Sequence, residues 1–230
     1  SVVIGTGSTD GGFSDQVIIG DAVVPVSVGG NSVIIGSTAN SSSSDTIAIG
    51  YDATVATSSS IAIGYSSNAT GAGSGGSIAI GYDSNASNTS NASIALGYAA
   101  SSGSGQFVVG SSSSAVTSMY IGEGSTSASP GDMLISGTGG SGSNIAGGTM
   151  TIRGGLATGN AATGDVIIAG ANAGASSSTL QTAANRWLVK GGTGHFVTGL
   201  DNTYDIGASG ATRPRTMYLG TSLTTPAITI

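Results

Sequence analysis

One short phrase returns four times between Asp45 and Tyr98 and leaves the chain few ways to fold. It reads Ile47-Ala48-Ile49-Gly50-Tyr51, Ile61-Ala62-Ile63-Gly64-Tyr65, Ile78-Ala79-Ile80-Gly81-Tyr82 and Ile94-Ala95-Leu96-Gly97-Tyr98. The copies start 14 to 17 residues apart, with small and polar residues and one valine, Val55, between them. Self-similarity at so short a period marks a stacked architecture in which each repeat is one coil lying on the next. Two helices do not fit in such a repeat, and β-branched Ile followed by Gly disfavours helix. The phrase therefore predicts an all-β fold, a β-solenoid or β-roll repeat rod.

Relaxing the residue types extends the pattern. Val2-Val3-Ile4-Gly5, Val17-Ile18-Ile19-Gly20 and Val33-Ile34-Ile35-Gly36 precede the centre. Phe107-Val108-Val109-Gly110 and Met119-Tyr120-Ile121-Gly122 follow it, and looser variants begin at Met133, Met150 and Val166. Twelve such rungs, stacked at ~4.8 Å, predict a rod of roughly 55 Å. Side chains alternate along a strand, so the first and third residues of each triplet share one face. Being large and apolar, they are expected to fill the coil, with the middle residue pointing outward. An apolar or small outward residue, where a half-exposed strand carries a polar one, calls for a second cover. Sister chains around a threefold axis supply it most simply, so a homotrimer is expected. The Gly after each triplet suits a tight corner, and the Ser, Asn, Asp and Thr that follow suit turns.

Composition narrows the function classes. With 41 Gly and 7% charged residues the chain could be read as a linker, but 38% of it is apolar and gathered into the returning triplets. The formal charge is −6, and residues 1–152 hold no Lys or Arg. A nucleic-acid binder needs a basic stripe to displace phosphate counterions, so the anterior part is not one. The same lack argues against attraction to anionic lipid. Cysteine is absent, which removes disulfides and thiolate metal sites. No apolar run reaches membrane-span length. The start in mid-pattern suggests a segment of a longer polypeptide.

Near residue 180 the texture changes. The only Trp (Trp187), the only His (His195) and four of the five basic residues lie beyond it. Two regions are expected: a repeat shaft over 1–180 and an irregular β cap or neck over 181–230.

Two stretches carry family resemblances. The Ile-Ala-Ile-Gly-Tyr copies with their polar spacers resemble the head repeats of YadA-type trimeric autotransporter adhesins, closely over residues 45–100 and loosely over 1–122. That likeness implies a trimer of β-rolls at a bacterial surface. Gly147-Gly148-Thr149-Met150-Thr151-Ile152-Arg153-Gly154-Gly155, with Thr163 to Gly170, is similar to segments of bacteriophage tail-fibre proteins. So is Tyr204-Asp205-Ile206-Gly207 through Arg213-Pro214-Arg215-Thr216-Met217-Tyr218-Leu219-Gly220-Thr221-Ser222. Fibres of that kind also use the adhesin-like head repeat, so the resemblance implies a virion tail-fibre segment, extracellular, reaching toward a host receptor or glycan and joined to other fibre proteins. The alternative is an autotransporter-type adhesin at the bacterial cell surface.

Candidate sites are few. Tyr51, Tyr65, Tyr82 and Tyr98 hold one place in four successive coils and are expected to form a ladder. Its readings are a stacking stripe or an aromatic strip for sugar rings. His195, alone in the chain, admits no Ser-His-Asp or multi-His site within one protomer, but three copies could meet on a trimer axis. The matches to Gly-x-Gly-x-x-Gly at Gly71/Gly73/Gly76 and Gly137/Gly139/Gly142 open no plausible helix and fit a Gly-rich chain by chance. Sequons at Asn40, Asn68, Asn85, Asn88 and Asn91 read as turn residues before they read as glycan acceptors. No catalytic, cofactor or metal set is evident, and the chain reads as a structural fibre protein, not an enzyme.

Overall fold

The structure is a computed structural model. It describes residues 1–12, 14–23, 30–71, 75–87, 92–119, 132–175, 180–201 and 203–206. The chain divides into two compact units, Ser1–Ala128 and Ser129–Ile230. All regular structure among the described residues is β.

The first unit is a β-solenoid. Its larger sheet has eight parallel strands, one per repeat: β1 (Val2–Ile4), β2 (Val17–Ile19), β3 (Val33–Ile35), β5 (Ile47–Ile49), β7 (Ile61–Ile63), β9 (Ile78–Ile80), β11 (Ile94–Leu96) and β13 (Phe107–Val109). Like residues pair with like, as in Ile47↔Ile61↔Ile78↔Ile94. A second, five-stranded parallel sheet comes from two-residue strands in the spacers: β4 (Asn40–Ser41), β6 (Thr54–Val55), β8 (Asn68–Ala69), β10 (Asn85–Ala86) and β12 (Ser101–Ser102). Asn40, Asn68 and Asn85 thus open strands instead of making turns, and their amide oxygens are buried. Asn88 lies outside the described residues, as does Asn91.

The corners explain the phrase. Gly36, Gly50, Gly64 and Gly81 all have φ between +135° and +140°. In this column a Cβ on Gly64 would fall on the backbone carbonyl of Gly81 in the next coil. Two residues on, a left-handed residue completes the bend at Thr38, Asp52, Ser66, Asp83 and Ala99. A second left-handed corner, at Asn31, Asp45 and Ser59, returns the chain to the next rung.

The facing of the triplets is the reverse of the sequence expectation. The middle residues Ile18, Ile34, Ala48, Ala62, Ala79 and Ala95 are fully buried. They point into the coil, and the first and third residues point out. The reason is the bore. Each turn admits one inward side chain from the triplet and one from the short strand opposite, such as Val55, Ala69 or Ala86, with Ala53, Ser67 or Ser84 at the corner. Two Ile per rung do not fit in that space. The interior is partly polar, and several of its hydroxyls bond one another or backbone: Thr46 Oγ1 to Ser32 Oγ at 2.9 Å, Ser41 Oγ with Thr46 Oγ1 at 2.7 Å, Ser67 Oγ to the Gly64 carbonyl at 3.1 Å. Buried hydroxyls are tolerated on that condition, whereas Ser93 Oγ and Ser102 Oγ are buried without a partner.

Among the described residues the ladder has eight rungs, where the sequence suggests twelve. Of the copy starting at Met119, residues 120–122 lie outside the described residues, and 132–165 contain no strand. The copy at Val166 belongs to the second unit. There β14 (Val166–Gly170) pairs antiparallel with β15 (Ala184–Val189), which pairs antiparallel with β16 (Phe196–Thr198). The change of texture near residue 180 falls in the connection between β14 and β15. Trp187 and Phe196 stack on this sheet at 5.0 Å.

Candidate functional site

Because the first and third triplet residues face outward, the larger sheet carries two apolar columns, aliphatic but for Phe107, on its outer surface. One runs Val2, Val17, Val33, Ile47, Ile61, Ile78, Ile94, Phe107. The other runs Ile4, Ile19, Ile35, Ile49, Ile63, Ile80, Leu96, Val109. All sixteen are half-buried or exposed. Eight rungs at ~4.8 Å with two columns per rung make a strip of roughly 400 Å². A strip of that size is as large as the biggest apolar patch on an ordinary monomer, about 300–600 Å², a class of patch that is often functional. No charged side chain interrupts either column.

Beside this strip, just past the Gly corner, stands the expected tyrosine ladder. Ring centroids of Tyr51–Tyr65, Tyr65–Tyr82 and Tyr82–Tyr98 are 5.1, 5.0 and 5.1 Å apart, with planes within 16° of parallel. The spacing is that of the coils, held by backbone bonds from Ser66 N to the Tyr51 carbonyl and from Asp83 N to the Tyr65 carbonyl, both 2.8 Å. Each ring is about half exposed. A sugar stacks on an aromatic face, but the inner faces of this ladder are taken by neighbouring rings. What the strip offers along its length is ring edges. Ser37 and Ser111 hold the corresponding positions in the adjoining coils, so the ladder is four rings long.

His195 lies in the turn between β15 and β16, exposed; its carbonyl accepts from Lys190 N at 2.8 Å. Among the described residues no cluster of His, Asp or Glu could hold a metal ion. The same turn is tied down by Asp165, which accepts from Lys190 Nζ at 2.5 Å and from Gly191 N at 3.0 Å. The Lys190 bond, then the Gly191 amide, holds the Asp165 carboxyl below the ordinary carboxylate range.

Sequence reasoning missed Arg186. Its guanidinium donates to the Gly170 carbonyl (3.2 Å), the Tyr204 hydroxyl (2.7 Å) and Asn172 Oδ1 (2.8 Å), beside an open cleft of about 600 Å³. These bonds tie β15 to the end of β14 and to the segments flanking the sheet, so the arginine is a structural clamp. Basic residues are scarce here, and an arginine on a strand beside the only tryptophan was the available signal. No protein-family model, curated protein or solved structure matches the chain.

Proposed function

We propose that this chain is a segment of a homotrimeric extracellular fibre, a virion tail fibre that extends toward a host cell and helps attach to its surface. The observation that carries the reading is the outward aliphatic strip. Burying roughly 400 Å² at ~25 cal/mol per Å² contributes about 10 kcal/mol per chain. That is comparable to the ~4–15 kcal/mol association costs, so the strip is worth enclosing completely or not at all. Two columns per chain, each meeting a different neighbour, close around a threefold axis. Three chains then turn weak contacts at a fibre end into avidity. The viral assignment draws on the resemblance of residues 147–170 and 204–222 to tail-fibre segments. Of the latter stretch, residues 207–222 lie outside the described residues.

The test is native mass at micromolar concentration, for the wild type and for Ile63→Asp. Ile63 sits on the outer face in the middle of the strip, so the substitution leaves the coil intact and puts a charge in the interface. Three chains for the wild type and one for the variant, with the β circular-dichroism signal kept, are expected. A monomeric, dimeric or tetrameric wild type overturns the trimer. Immunogold labelling then separates the settings: label on virion appendages supports the fibre, and label on the bacterial outer surface supports an adhesin instead.

A further inference from the structure

We propose that the Tyr51–Tyr65–Tyr82–Tyr98 ladder is a site of one-electron oxidation at which successive coils become joined by intrachain dityrosine bonds. The inference rests on the ladder alone and not on the assembly proposed above. Four phenols stand at one corner of the solenoid with neighbouring centroids 5.0–5.1 Å apart and planes nearly parallel. Coupling needs two phenoxyl radicals close together with their ortho carbons free to meet. Here every inner ring has a tyrosine on both sides, and half of each ring is open to solvent. An oxidant can reach the ring, and the phenolic proton can leave to water. Thiol and indole sinks are missing from this unit. The chain has no cysteine, and its one tryptophan, Trp187, lies in the second unit.

Two neighbouring phenols each give one electron to a one-electron oxidant, a haem peroxidase intermediate or a photo-oxidised metal complex, and one proton to solvent. The two phenoxyl radicals form a carbon–carbon bond between ortho positions. Each ring regains aromaticity as its ortho hydrogen leaves as a proton and the phenol oxygen is reprotonated. The oxidant gains two electrons and the chain loses two hydrogens. Because the ladder holds four rings, it takes one central link, Tyr65–Tyr82, or two outer ones, Tyr51–Tyr65 and Tyr82–Tyr98. Each link closes the loop of a single coil, which restricts the unwound chain as other cross-links do.

The experiment oxidises the dilute full chain with a ruthenium tris-bipyridyl complex and persulfate under light. Dityrosine fluorescence, chain mass and a digest cut before aspartate are then read. Cleavage before Asp45, Asp52, Asp83 and Asp132 puts Tyr51, the pair Tyr65 and Tyr82, and Tyr98 together with Tyr120 on three peptides, and fragment masses of a joined peptide tell Tyr98 from Tyr120. The expected result is single chains lighter by two hydrogens per link, with the peptide 52–82 joined to 45–51, joined to 83–131 through Tyr98, or closed internally. Tyr65→Phe with Tyr82→Phe keeps the ring stack but leaves no adjacent phenols, and fluorescence should fall to background. Tyr204, held by Arg186, should stay unlinked. Undiminished fluorescence in the double variant, links chiefly between chains or on Tyr204, or no dityrosine in the wild type overturns the proposal.

Discussion

Replacing Gly64 by alanine tests the solenoid at its tightest point. Gly64 has φ +137°, and an added Cβ would lie 2.6 Å from the Gly81 carbonyl carbon and closer still to its oxygen. Neither rung can swing away freely. Gly64 N donates to the Ile49 carbonyl and Gly81 N to the Ile63 carbonyl, both at 2.8 Å. The backbone conformation alone costs an L-residue about 1–3 kcal/mol. Relieving the clash would break both rung bonds, each worth about 0.5–1.5 kcal/mol. The expected loss is about 3–5 kcal/mol, a large share of the ~5–15 kcal/mol that holds an ordinary domain together. Gly12 is the control. Its φ is +84°, but nothing lies within 4 Å of the added atom, so Gly12→Ala should cost about 1–2 kcal/mol. Urea unfolding followed by circular dichroism gives both numbers. If Gly64→Ala is no worse than Gly12→Ala, coil-on-coil contact at the glycine column is not what the phrase encodes.

Thr38 has φ 55°, a conformation that a β-branched residue adopts only under strain. Thr38→Asn should therefore raise stability by about 1 kcal/mol, read as a higher urea midpoint. In the second unit, Asp165 has its carboxyl acidity strengthened by Lys190 and Gly191. Its folded pKa is depressed, so its contribution is fully present above about pH 4 and is lost as pH falls through the lower folded value. Protection of the Lys190 and Gly191 amides relative to their intrinsic exchange should fall over that acid range, and Asp165→Asn should remove the pH dependence of that protection.

The rungs and their period were legible because β-branched triplets punctuated by glycine have no other economical use. Their facing was not, and the cause is specific. Ile-Ala-Ile alternates large and small, but both classes are apolar, so hydrophobicity alone does not say which is inside. The bore of the coil decides, and it follows from the opposing two-residue strands. Those strands were themselves hidden, since Asn40-Ser41, Asn68-Ala69 and Asn85-Ala86 read as turns and owe their β conformation to the coils above and below. The fate of the copy at Val166 is hidden for a related reason. Val166-Ile167-Ile168 matches a rung in composition, yet it pairs antiparallel with Trp187–Val189, a partner that local pattern does not name. The tyrosine ladder was readable outright, because its only requirement is one residue at one place in consecutive coils.

Near-identical rungs have a consequence for how the solenoid reaches its native order. A strand that docks one coil too far along finds the same hydrogen bonds, the same alanine interior and the same glycine corner, so backbone pairing barely opposes the error. Discrimination falls to the few positions where the columns differ. Among the described residues isoleucine stands inside only at Ile18 and Ile34, Val55 is the largest inward residue among the short strands, and tyrosine occupies four successive corners between Ser37 and Ser111. A skipped coil would break the run of rings and bring Ile34 against the wrong inward neighbour. These departures from perfect repetition act as the index marks by which the chain counts its own turns.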